Sequence, residues 1–214
     1  AATMAALIGW CRSSDADVFN ASVTEQVSAD ATTQGGDINS PPPDSGSMTN
    51  NVLPPTPLST FATSGLFGGQ SSINIDTYTG PMTAGDSTPG LDLSGSTSAS
   101  AHDAEDLTSL GEADATASFT YNFSLDATQP YTFSADEDGS SLPTLIGPNG
   151  SIDPGSGDLS PGDYTLSAAS SDTDGFIGDL FTTDFSLQIQ PVPEPASLAL
   201  LGIGVVALAR RRRT

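Results

Sequence analysis

The sequence contains no lysine, and its only arginines are Arg12 and the run Arg210, Arg211, Arg212 and Arg213. From Ser13 to Ala209 there is no permanently positive side chain. That absence excludes nucleic-acid binding by the body of the chain, because phosphate contacts need Lys or Arg. It also excludes Walker-type nucleotide sites, Schiff-base lysines and arginine clamps on phosphates. The single cysteine, Cys11, lies in a short apolar N-terminal stretch, so the remainder has no disulfide, thiolate nucleophile or cysteine metal site. The single histidine, His102, stands in Ala101-His102-Asp103-Ala104-Glu105-Asp106. A Ser-His-Asp triad needs only one His, but no Gly-x-Ser-x-Gly elbow accompanies it, and it reads as a loop residue among carboxylates. Apolar residues make up 36% and aromatic residues 7% of 214 positions, and they are unevenly spread. One modest core is expected rather than two.

What the chain has in quantity is acid. There are 26 Asp and Glu residues, and the formal net charge is -21. All but Glu194 lie between Asp15 and Asp184. Such a body stays soluble and repels anionic polymers unless cations bridge them.

The two ends differ from this body. Residues 1–16 begin Ala-Ala-Thr-Met-Ala-Ala-Leu-Ile-Gly-Trp and resemble the tail of a secretory h-region, with Ser14-Asp15-Ala16 offering small residues for cleavage after Ala16. An ordinary N-terminal helix remains the alternative, and Arg12 just after the apolar run favours it. Trp10 is too large to precede a lipidated cysteine. At the other end, Pro191-Val192-Pro193-Glu194-Pro195 carries three alternating prolines, which lack N–H groups and fix φ. The segment must be extended and accessible, the form in which a protease or transpeptidase cleft receives a peptide. Residues 196–209 follow as an almost wholly apolar stretch, which as a helix would rise about 21 Å. That is short against a hydrocarbon thickness of about 30 Å. Arg210–Arg213 can snorkel to extend its reach and hold that end on the cytoplasmic side. A short transmembrane helix with a basic stop reads as a temporary anchor.

In the order motif, span and basic tail, residues 191–214 resemble a PEP-CTERM sorting signal, with Val192, Pro193, Glu194 and Pro195 as the motif and the four arginines as the membrane stop. The resemblance implies export by a Gram-negative bacterium that makes exopolysaccharide. It further implies an inner-membrane intermediate, recognition by the membrane protease-transpeptidase exosortase, and release to the cell surface or matrix. It covers only this C-terminal segment.

Between the ends, residues 17–104 are rich in Ser, Thr, Gly, Pro and Asp, with breaker clusters at Pro41-Pro42-Pro43-Asp44 and Pro54-Pro55-Thr56-Pro57. Strands are expected over 17–27 and 73–78, and parts of this half are expected to be irregular or disordered. Residues 105–190 are expected to form the core. Ala115 to Leu125 alternates apolar and polar residues without error, which places Ala117, Phe119, Tyr121, Phe123 and Leu125 on one sheet face. Tyr131 to Ala135, Leu142 to Ile146, Tyr164 to Ala168 and Phe185 to Ile189 add further strands separated by Gly, Pro and Asp. The expected fold is all-β, an antiparallel sandwich of jelly-roll type.

Two acidic Gly-containing loops are calcium candidates: one with Asp136 and Asp138, the other with Asp172, Asp174 and Asp179. Calcium prefers several carboxylate and carbonyl oxygens on a flexible loop. Neither loop completes an EF-hand, and Asp and Gly equally serve plain turns. Asn20-Ala21-Ser22 and Asn122-Phe123-Ser124 match glycosylation sequons. Three functions follow as expectations. The first is a non-enzymatic structural or interaction protein of the surface or matrix, without a cofactor. The second is a calcium- or carbohydrate-binding sandwich engaging exopolysaccharide, and the third a secreted hydrolase using Asp/Glu pairs.

Overall fold

A computed structural model describes residues 17–34, 43–64, 67–102, 110–138, 141–173 and 179–191. Twelve strands account for most of them: β1 (Val18–Gln34), β2 (Asp44–Asn50), β3 (Leu58–Ser64), β4 (Phe67–Thr79), β5 (Leu91–His102), β6 (Leu110–Leu125), β7 (Gln129–Asp138), β8 (Ser141–Gly147), β9 (Gly150–Ile152), β10 (Gly155–Leu159), β11 (Gly162–Thr173) and β12 (Phe181–Ile189). They form two six-stranded sheets, β2-β1-β6-β11-β8-β9 and β10-β7-β12-β5-β4-β3. Every pairing is antiparallel. The result is an all-β sandwich, and the described residues contain no helix. The leader-like residues 1–16 and the expected C-terminal helix lie outside the described residues.

The N-terminal half departs from expectation. Residues 17–104 supply five of the twelve strands, and two of these, β1 and β4, run for 17 and 13 residues. Neither half is a layer of its own, since β1 pairs with β6 and β5 with β12. The physical reason lies in the size of the alternating residues. Along β5 the inward positions are Leu91, Leu93, Gly95, Thr97, Ala99 and Ala101, and the outward ones are Asp92, Ser94, Ser96, Ser98, Ser100 and His102. The period of two is intact, but its contrast is between Ala and Ser rather than between Phe and Lys.

Small inward residues let the sheets close. At the end far from the termini, Ala29, Ala31, Ala62, Phe67, Ala101 and Ala113 form a core of their own. Serine and threonine side chains there reach backbone of the opposite sheet. The Ser71 hydroxyl donates to the Ser28 carbonyl at 2.9 Å, and Ser170 to that of Thr97 at 2.9 Å. A side chain that short can bridge only sheets lying well inside the ordinary spacing of about 10 Å. Gly69 marks a close approach of the two backbones, because a Cβ there would stand 2.6 Å from the Asp114 carbonyl oxygen. Toward the termini the core widens to take Phe119, Tyr121, Phe123, Phe133, Leu166 and Leu187, all essentially buried. Phe119 stacks on Phe185 at 4.8 Å and Phe123 on Tyr164 at 5.2 Å. The Tyr164 hydroxyl donates back to the Ser160 carbonyl at 2.5 Å, tying the turn before β11 to the core.

Candidate functional site

The last strand, β12, positions the C-terminal segment. Phe185, Leu187 and Ile189 point inward and are buried, while Asp184, Ser186 and Gln188 face out. The strand sits in the middle of its sheet, between β7 and β5. Just past it, the Gln190 N–H donates to the Pro130 carbonyl at 2.9 Å, and the Gln188 amide donates to Asp92 at 3.3 Å. Pro191 has no N–H to continue the ladder and is exposed. Gly90 packs against this exit, where a Cβ would stand 2.7 Å from the Ile189 carbonyl oxygen and 3.2 Å from the Pro191 ring.

The chain begins its fold beside the same point. The Asp17 N–H donates to Asp126 at 2.9 Å, and Val18 exchanges backbone hydrogen bonds with Thr88 at 2.7 and 3.0 Å. Both termini of the sandwich therefore leave from one end. Val192, Pro193, Glu194, Pro195, the apolar residues 196–209 and Arg210, Arg211, Arg212 and Arg213 lie outside the described residues. Among the described residues there is no helix long and apolar enough to cross a membrane.

The calcium candidates are placed differently from one another. Asp136 and Asp138 are exposed and belong to β7 rather than to a loop. Asp136 stands opposite Asp184 on β12, two acids on one outer face. Asp172 also belongs to a strand, β11, and faces inward; it is buried, and its carboxylate accepts the Ala101 N–H across the sandwich at 2.6 Å. Asp179 is exposed just before β12, and Asp174 lies outside the described residues. Asp138 ends β7, Asp172 lies one residue before the end of β11, and Asp179 precedes β12, which places all three toward the end opposite the termini. Among the described residues no three His, Cys, Asp or Glu side chains are grouped as a metal site. His102 ends β5, exposed, with its imidazole lying over Gly68. Asn122 is tied into the outer face of its sheet, accepting from Thr165 at 2.8 Å and donating to Ser22 at 3.3 Å. Asn20 has a φ of 52° at the β1 bulge.

Sequence reasoning missed Glu25. It is fully buried, facing the core from β1. One carboxylate oxygen accepts from the Asn50 amide and from the Thr56 N–H at 3.2 Å, while the other has no partner. Burial pushes its pKa up, and the two hydrogen bonds only partly oppose this. The signal was present, because Glu25 falls in the apolar phase of Val23, Val27 and Ala29. Burial likewise raises the hydroxyls of Tyr78 and Tyr121, which meet at 3.1 Å.

No curated protein and no solved structure matches the chain. Residues 191–213, which begin at the proline that ends the β12 ladder, match the family described as the PEP-CTERM protein-sorting motif. The chain thus carries a signal for export and for sorting to the bacterial cell surface by exosortase.

Proposed function

We propose that this is a non-enzymatic structural or interaction protein of the surface or extracellular matrix of a Gram-negative bacterium, held briefly in the inner membrane by residues 196–209 and then processed. The observation that carries the reading is the direct suspension of the sorting motif from β12. The motif begins two residues beyond the last residue of a central strand, so the sandwich is the cargo and residues 191–213 its address. The absence of Lys and Arg between Ser13 and Ala209 supports a role without phosphate or Schiff-base chemistry. His102, the only histidine, lies on an open strand end over Gly68, which favours a bland surface role. Replacing Pro193-Glu194-Pro195 by three alanines leaves unprocessed protein in the membrane fraction. An unchanged mature C-terminus in that variant overturns the assignment.

A second reading is a calcium- or carbohydrate-binding module engaging exopolysaccharide, for which exposed Asp138 and Asp179 supply carboxylates toward the end opposite the termini. A hydrolase would draw on cross-strand acids such as Asp136 and Asp184, which stand on an open outer face.

A further inference from the structure

An anchor in residues 196–209 sets which end of the sandwich faces the bilayer. Ile189, the last residue of β12, stands opposite Leu91, and the Gln190 N–H is tied to the Pro130 carbonyl. Only residues 192–195 separate Pro191 from the apolar stretch, and fully extended that link reaches about 17 Å. The end from which both termini leave is therefore kept beside the membrane for as long as the anchor holds. We propose that this end seats on the lipid surface itself, through an apolar hollow between the β2–β3 and β4–β5 loops. This seating deepens the inner-membrane step of the function proposed above and rests on it.

The hollow has a volume of about 220 Å3 and is lined by Val52 and Leu53 of the first loop, Met82 and Ala84 of the second, and Ala21 of β1. Val52 is 69% and Met82 54% exposed, although both side chains are apolar. Their loops are pinned rather than slack. Asn50 accepts the Val52 N–H at 3.0 Å and donates to the Val52 carbonyl at 3.3 Å, while Glu25 accepts from Asn50 and Thr56. The Tyr78 hydroxyl donates to the Pro81 carbonyl, and Asp86 accepts the Thr83 N–H at 3.0 Å. Register places the hollow close to the exit of β12. Thr79 ends β4 opposite Asp92, beside the Leu91 that faces Ile189, and Met82 lies three residues further on. The ends of β4 and β12 are thus two strand spacings of about 4.8 Å apart. From Asn50 to Leu58 and from Thr79 to Gly85 there is no charged side chain that must stay hydrated. The apolar stretch, about 21 Å as a helix against about 30 Å of hydrocarbon, keeps its flanks at the interface rather than clear of it. An interface takes apolar side chains to a depth of about 5–10 Å and asks for no shape match. So short a tether also makes the contact intramolecular, at a high effective concentration. With no Lys or Arg between Ser13 and Ala209, the contact is with acyl chains and zwitterionic headgroups and gains nothing from anionic lipid.

The full chain carrying Cys11→Ser and one dye-labelled cysteine tests this in vesicles of phosphatidylethanolamine and phosphatidylcholine. A nitroxide on the acyl chains of some of the lipid quenches dyes that enter the bilayer. Dyes at Val52→Cys and Met82→Cys should be quenched. Dyes at Phe61→Cys and Leu180→Cys, exposed positions toward the opposite end, should not. Adding Val52→Asp to the chain labelled at position 82 should weaken the seating roughly tenfold, as expected for loss of one buried aliphatic side chain. A dye at Leu201→Cys reads the anchor independently. Quenching there without quenching at positions 52 and 82 overturns the seating, leaves the anchor standing, and is the result expected if the hollow takes a protein instead of lipid. No quenching at position 201 overturns the anchor and the seating with it. Equal quenching at positions 52, 82, 61 and 180 also overturns the seating, because the sandwich then meets the membrane without a preferred end.

Discussion

Glu25→Gln should stabilise the protein at neutral pH, and the gain should vanish in acid. The carboxylate is fully buried, one oxygen has no partner, and no Lys or Arg lies between Ser13 and Ala209 to neutralise it. Desolvation therefore holds its folded pKa above the ordinary carboxyl value. A carboxyl whose folded pKa is raised binds its proton more tightly in the native state than in the unfolded chain. Its contribution favours folding below the unfolded pKa and is lost as pH rises through the folded one. Glutamine matches the protonated acid in shape. Its oxygen keeps the bonds from Asn50 and Thr56, and its amide in the partnerless position offsets part of the gain from removing the charge. The difference at neutral pH is then the cost of burying a charge with an unsatisfied oxygen, about 1–3 kcal/mol. In a domain of this size that is about 2–10 °C in Tm. Thermal unfolding of both proteins, followed by circular dichroism from pH 7 down to below the ordinary Glu range, reads the difference directly. Other acids titrate in both proteins and cancel. A variant less stable than the parent at pH 7, or an offset that does not change with pH, refutes the argument.

Other consequences follow from the packing and the acids. Gly69→Val forces a side chain into backbone of the facing sheet and should cost about 1–3 kcal/mol, whereas Gly85→Ala, with nothing within 4 Å of a Cβ, should change stability by less than about 1 kcal/mol; paired denaturant melts compare them. Phe119→Ala removes a fully buried ring stacked on Phe185 and should cost about 3–5 kcal/mol, seen as a lower urea midpoint. If calcium binds at the acidic end, added calcium raises Tm and Asp179→Asn reduces the rise; an unchanged Tm counts against that reading.

Phe119, Tyr121 and Phe123 were legible because large apolar residues at period two can go only to a buried sheet face. The sorting signal was legible because its motif, apolar stretch and basic run are contiguous in the sequence and need no tertiary partner to be seen. Asp172 was not: among Asp and Gly it looks like a turn residue, yet pairing of β11 with β6 turns it inward to the Ala101 N–H.

By itself the sequence determined the strand phase of the C-terminal half, the acidic body without cations and the C-terminal address. Tertiary structure alone decided that the five strands of residues 17–104 join the same sandwich, that Ala, Ser and Gly fill much of its narrow end, and that Glu25 is buried. The reason is that an aromatic side chain carries enough burial energy to declare its side of a sheet, whereas Ala, Ser and Gly do not. They become core only when a second sheet comes close enough to touch them.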